Sequence, residues 1–230
     1  MKRRLKLAIL LSGGGSTLHN LIKCREEGRL WADIGLVVSS RPGVRGLDIA
    51  AAAGIRSEVV AASQFLDVSA REGERIYDWY RMSDELNKLL LPDKFDLVCM
   101  AGFLSRYYIP EDLLGRVINI HPSLIPMFCG QDMYGDRVHR AVVKAGVRVT
   151  GCTVHFADNN YDTGPIILQR ACPVYSDDGP KDVQARVFLE ECKAYPDAIN
   201  LLANGRVSFR SPGRTYVSGD SDIERFSHDA

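Results

Sequence analysis

Charge of one sign is missing from this 230-residue sequence: 29 Lys and Arg face 29 Asp and Glu. That balance removes the electrostatic case for a nucleic-acid or anionic-membrane surface. Long apolar runs are missing too, since no stretch approaches the roughly 20 residues of a membrane-spanning helix. The basic start leads into an apolar run over 7–11 that is too short for a secretory signal and ends in glycines. The six cysteines, Cys24, Cys99, Cys129, Cys152, Cys172 and Cys192, include no CxxC pair. This argues against a thiolate zinc site and a disulfide framework, and fits a reducing compartment. GxGxxG, GxxxxGKS/T and GxSxG are all absent, which sets aside a dinucleotide fingerprint, a triphosphate loop and a nucleophile elbow. No repeat or low-complexity linker divides the chain. The expectation is a soluble, cytoplasmic protein with one domain over 1–209 and a polar tail over 210–230. Its partners would be small molecules, with no nucleic acid, membrane or metal, and it would be a monomer or homodimer.

What is present is 46% hydrophobic and 25% charged, enough apolar material for a real core. Residues 5–11 read as a strand, ended by Ser12-Gly13-Gly14-Gly15, with a helix over 17–27. Strands are expected over 34–39, 55–60, 95–101, 117–120, 147–156 and 166–174, and a weak one over 207–209. Helices are expected over 44–53, 72–91, 137–145 and 182–203, the second stopping before Pro92. Alternating strands and helices imply an α/β fold: a Rossmann-like, mostly parallel twisted sheet with helices on both faces. Right-handed crossovers would put ligands at the carboxyl ends of the strands.

Two stretches carry chemistry. In the glycine turn, Gly13, Gly14 and Gly15 let the backbone approach a ligand closely. The helix start at Ser16 and Thr17 favours an anion such as a monophosphate. The same residues also fit a tight turn with an ordinary Ser or Thr cap. The second stretch is 117–126, VINIHPSLIP. Asn119 and His121, two apart in a strand, share one face, while Ile118 and Ile120 take the other. A further polar cluster, HFADNNYDTGP over 155–165, ends another strand in an acidic loop. An amide N–H and an imidazolium stabilise a developing oxyanion. A nearby carboxylate favours the imidazolium and helps move a proton through water. That set suits acyl transfer to an amine. His121 also reads as a hydrogen-bonded core residue, Asp162 as a turn former, and the pair with His155 as a weak metal set lacking HxxxH spacing.

The segments AGFLSRYYIP (101–110), GRVINIHPSLIP (115–126) and GCTVHFADNNYDTGPIILQ (151–169), with the SGGGSTL turn, resemble the folate-dependent formyltransferases, specifically the phosphoribosylglycinamide formyltransferases. The resemblance covers about residues 5 to 209. It implies direct transfer of the formyl group of 10-formyltetrahydrofolate, as co-substrate, to the amine of 5′-phosphoribosylglycinamide in purine biosynthesis. On it, Asn119 and His121 hold the formyl oxygen, and Asp162 pairs with His121. The turn at Gly13, Gly14, Gly15, Ser16 and Thr17 takes the phosphate, and Glu191 the ribose. Leu104, Ser105 and Arg106, with the loop Asp158, Asn159, Asn160, Tyr161 and Asp162, line the folate site. His155 supports from behind, and Arg75 or Arg71 approaches the ligand. The chain departs from the family at Gly14 and Thr17, where the turn usually carries Asn, and at Phe188, where a polar residue is usual. Residues 127–136, MFCGQDMYGD, replace a Lys-x-x-Gly-x-x-x-His stretch and look longer. The alternatives that this leaves are an amino-sugar nucleotide acceptor, formyltetrahydrofolate hydrolysis, and a non-catalytic phosphate-binding module.

Overall fold

In Leu5–Leu11 (β1) every residue from Leu7 onward is buried. Leu7, Ile9 and Leu11 enter one core, while Ala8 and Leu10 enter a second on the opposite face. A strand apolar on both faces belongs at the centre of a covered sheet, and β1 lies there. It pairs in parallel with Ala32–Ser39 (β2) and Leu97–Met100 (β4). Ser57–Val59 (β3) and Val117–His121 (β5) extend the parallel part, and Val149–Phe156 (β6) and Ile166–Pro173 (β7) add two antiparallel strands. The seven-stranded order is β3-β2-β1-β4-β5-β6-β7, the mostly parallel sheet expected. This computed structural model describes residues 3–66, 76–91, 94–210 and 214–218.

The larger core is covered by Ser16–Glu26 (α1), Arg45–Ala52 (α2), Asp136–Ala145 (α4) and Pro180–Ala203 (α5), which contribute Leu21, Ala50, Val142 and Val187 among others. Trp79–Leu90 (α3) covers the smaller core with Met82, Leu86 and Leu90. Strand order reverses between β1 and β4, so their carboxyl ends open a crevice.

Pro196 sits inside α5 and cannot donate to the carbonyl four residues back, at Cys192. The Asn20 amide of α1 donates to that carbonyl instead, at 2.9 Å. One turn away, the fully buried Tyr195 hydroxyl donates to the carbonyls of Met100 and Ile118, at 2.9 and 3.2 Å. The helix is thereby tied to β4 and β5 on one side of the crevice.

One local expectation needs correction. The helix foreseen from residue 72 starts only at Trp79, because the Asp78 carboxylate caps it by accepting from the Arg81 N–H at 3.0 Å. Tyr77 just before it is extended and bridges Leu66. Residues 72–75 lie outside the described residues. Of the polar tail expected over 210–230, residues 211–213 and 219–230 lie outside the described residues. Arg214–Val217 (β9) pairs antiparallel with Val207–Arg210 (β8), and Thr215 donates its hydroxyl to the Ile166 carbonyl at the edge of the large sheet.

Candidate active site

The carboxyl ends of β1, β4 and β5 open into a cavity of about 1340 Å³. Single-ligand pockets run about 300–1,000 Å³, so this one has room for two substrates. Its wall includes Leu104, Ser105, Arg106, Asn119, His121, His155, Asp158, Asn159, Asn160, Tyr161, Asp162 and Glu191, all singled out from sequence. From the glycine turn, Ser16 and Thr17 line it, and Gly13, Gly14 and Gly15 do not. Arg71 and Arg75 lie outside the described residues.

The polar centre is built by strand register. In the antiparallel β5–β6 pair Asn119 faces His155 directly, so both side chains project to one side as close neighbours. His155 Nδ1 lies 2.9 Å from the Phe156 carbonyl and so carries the ring proton. Its Nε2 then holds a lone pair, which accepts from Asn119 Nδ2 at 3.3 Å. Reversing the amide would set its oxygen against that lone pair. Burial pushes the His155 pKa below its ordinary value, with the Phe156 carbonyl and Asp162 opposing, which keeps this neutral tautomer.

His121, at the last position of β5, is 3% exposed. Its Nε2 donates to the Phe128 carbonyl at 2.9 Å, and its Nδ1 lies 3.5 Å from Asp162 Oδ2. Asp162 holds φ at 55°, a left-handed conformation uncommon outside glycine. The Gly130 N–H donates to its Oδ2 at 2.9 Å. The unusual 127–136 segment is therefore built into the centre, since it supplies the carbonyl on His121 and the N–H on Asp162. Thr153 and Gln169 fasten the turn before it. The Thr153 hydroxyl donates to the Ser123 carbonyl and accepts from the Ile125 N–H and from Gln169. Neither residue was legible as functional, because a Thr and a Gln on adjacent strands carry no motif.

At the glycine turn, Gly15 caps α1 with φ 69°, and a Cβ there would meet the Gly46 Cα at 2.6 Å. No side chain caps the helix, so the Ser or Thr cap considered above is not the arrangement found. Ser12 is 1% exposed and shares a hydrogen bond with Ser40 at 2.6 Å. The Leu104 N–H donates to Ser12 Oγ at 2.8 Å, which couples the glycine turn to the 101–110 segment. Along α5, Lys181, Gln184, Phe188 and Glu191 all line the cavity. Burial pushes the Glu191 carboxyl up to about 7.

The acidic loop is held by its own side chains. Asp158 accepts from the Asn160 N–H and the Thr163 hydroxyl. The Asn159 side chain accepts from the Ile109 N–H at 2.7 Å and donates to the Ile109 carbonyl at 3.1 Å. The Arg106 guanidinium lies 4.9 Å from both the Tyr108 and Tyr161 rings and donates to the Asn159 carbonyl. Among the described residues no group of His, Cys, Asp and Glu is arranged to hold a metal ion, and no helix is long and apolar enough to cross a membrane.

The sequence profile described as formyl transferase matches residues 5–199. The trifunctional purine biosynthetic protein adenosine-3 of Drosophila melanogaster is 38% identical over 89% of this chain, which spans only 14% of that protein's length. The chloroplastic phosphoribosylglycinamide formyltransferase of Vigna unguiculata is 34% identical over 97% of this chain and 69% of its own. Among solved structures, glycinamide ribonucleotide transformylase 1 from Symbiobacterium toebii superposes with a TM-score of 0.79 at 32% identity, covering 94% of this chain and 95% of that one.

Proposed function

This chain belongs to the formyl transferase family, and from that premise we propose that it moves the formyl group of 10-formyltetrahydrofolate onto the amine of 5′-phosphoribosylglycinamide. What carries this reading is the convergence of Asn119, His121 and Asp162 on the wall of a cavity with room for a donor and an acceptor together. The named relatives support the choice of acceptor.

The donor supplies an activated acyl carbon: the acceptor nitrogen bonds to it, the bond to N10 breaks, and the amine proton ends on N10. Asn119 Nδ2, turned by His155, has a second N–H for the formyl oxygen as negative charge gathers there. His121 adds positive potential beside that oxygen, and its ring is locked by the Phe128 carbonyl. Asp162 accepts the amine proton, directly or through one water, and passes it toward the leaving nitrogen. The Ser16 and Thr17 end of α1 receives the phosphate with free backbone N–H groups and the helix dipole. Glu191 accepts from ribose hydroxyls. The 101–110 segment and the 157–163 loop close on the folate.

His121→Ala tests the assignment. The kcat should fall by about 10²–10³-fold, the worth of one oxyanion-stabilising group. Donor and acceptor dissociation constants should stay within a few-fold, as read by calorimetry. Unchanged turnover overturns the catalytic role. Donor hydrolysis that phosphoribosylglycinamide does not suppress in favour of transfer overturns the acceptor and leaves a hydrolase.

A further inference from the structure

The cavity wall carries one polar side chain that the mechanism above leaves idle. His139, near the start of α4, is 3% exposed and lines the cavity beside His121 and the 130–135 segment. Val138 and Val142, packed in the larger core, fix the face of α4 that it occupies. Its Nδ1 is buried without a hydrogen-bond partner, a state shared among the described residues only with the Arg170 Nε. An orphaned buried N–H is rarer and costlier than a bare lone pair. The ring proton therefore belongs on Nε2, which no described hydrogen bond occupies. Burial lowers the pKa of His139; Asp136 opposes this and His121 adds to it. The ring is uncharged at neutral pH, with one N–H to offer.

Resting on the acceptor assignment above, we propose that His139 orients the acceptor by donating its Nε2–H to the amide carbonyl oxygen next to the reacting amine. In a glycinamide that oxygen lies three bonds from the amine, as near as the amide nitrogen, and of the two only the oxygen accepts a hydrogen bond. The amine must meet the formyl carbon held by Asn119 and His121. His139 lies close enough to His121 for the charge of one to bear on the other. A neutral donor suits a neutral carbonyl and provides no counter-charge for phosphate, whose place is at the other helix start. An amino sugar has no carbonyl there, but a hydroxyl on the carbon beside its amine could also accept this N–H, so the contact orients an acceptor and does not by itself exclude one.

The test is steady-state kinetics with phosphoribosylglycinamide on the full chain, its His139→Phe variant and its His139→Gln variant, which restores a donor near Nε2. In His139→Phe the acceptor KM should rise about tenfold, the worth of one neutral hydrogen bond. The donor KM and the donor-only hydrolysis rate should stay within twofold, and His139→Gln should recover most of the loss. An unchanged acceptor KM, or an equal rise in both KM values, overturns the proposal. Should both variants misfold, 15N spectra of the natural protein decide. The His139 signals should report an Nε2–H tautomer that shifts with acceptor and not with donor alone, and the opposite tautomer or no shift overturns it. If the natural protein transfers nothing to phosphoribosylglycinamide, the function itself is wrong, which is a separate result.

Discussion

Asn119 takes its orientation from a histidine 36 residues further along the chain. The pairing of Asn119 and His121 on one strand face follows from their spacing, and so was readable in advance. The contact with His155 was not, because register between antiparallel strands is invisible in a single sequence. Glu191 shows another kind of hidden property. Its burial in the cavity wall pushes its pKa up to about 7, so near neutral pH it is half protonated. On the proposed ribose contact, only the carboxylate form would accept from two hydroxyls. Acceptor KM should therefore rise as pH falls from 8 to 6, and Glu191→Gln should flatten that dependence at a uniformly weaker affinity. Stability runs the other way. The folded pKa lies above the unfolded one, so the contribution of Glu191 is full below the ordinary carboxylate range and is lost as pH rises through about 7. Urea midpoints of the natural protein and Glu191→Gln, compared at pH 5 and pH 8, should diverge in that sense.

Two elements owe their function to contacts between distant segments. Tyr80 and Tyr108 stack at 4.0 Å and 1°, Arg106 lies over Tyr108 and Tyr161, and Asn159 brackets Ile109. This ladder ties the loop that carries Asp162 to the 101–110 segment. Arg106→Ala should raise donor KM several-fold and speed amide exchange over 158–163, while acceptor KM stays put. An intact exchange pattern would show the loop to be held by Asn159 alone. In α5, Pro196 leaves the Cys192 carbonyl to Asn20. Asn20→Ala should cost about 0.5–1.5 kcal/mol, the net worth of a part-buried hydrogen bond. That is a few degrees of melting temperature at about 2–4 °C per kcal/mol for a chain of this size. The proline was plain in the sequence, whereas the donor to the Cys192 carbonyl, on a helix 172 residues before that cysteine, was not.

Across the protein, the reacting groups come from β5, the loop after β6 and the segment before α4, and the candidate anion site comes from the loop after β1. Substrates that bridge these parts should stabilise the fold. At donor and acceptor concentrations about 100 times their dissociation constants, each should add about 2.7 kcal/mol, and calorimetry should show the melting temperature rising with each ligand and further with both. Element order, the covered and mostly parallel sheet, and the placing of Asn119 and His121 late in one strand and of Asp162 in the loop after another all follow from local patterns: apolar runs, period-two alternation and glycine turns. These are short-range effects of backbone geometry and burial, which a sequence displays directly. The other helix boundaries moved by one or two residues, and the large shift came at α3, whose start the Asp78 side chain caps. The β5–β6 register, the unpartnered His139, the Thr153–Gln169 fastening and the fit of the 127–136 segment against Asp162 depend on which distant groups meet. Such meetings are set by packing of the complete core, and no stretch of the chain read alone contains them.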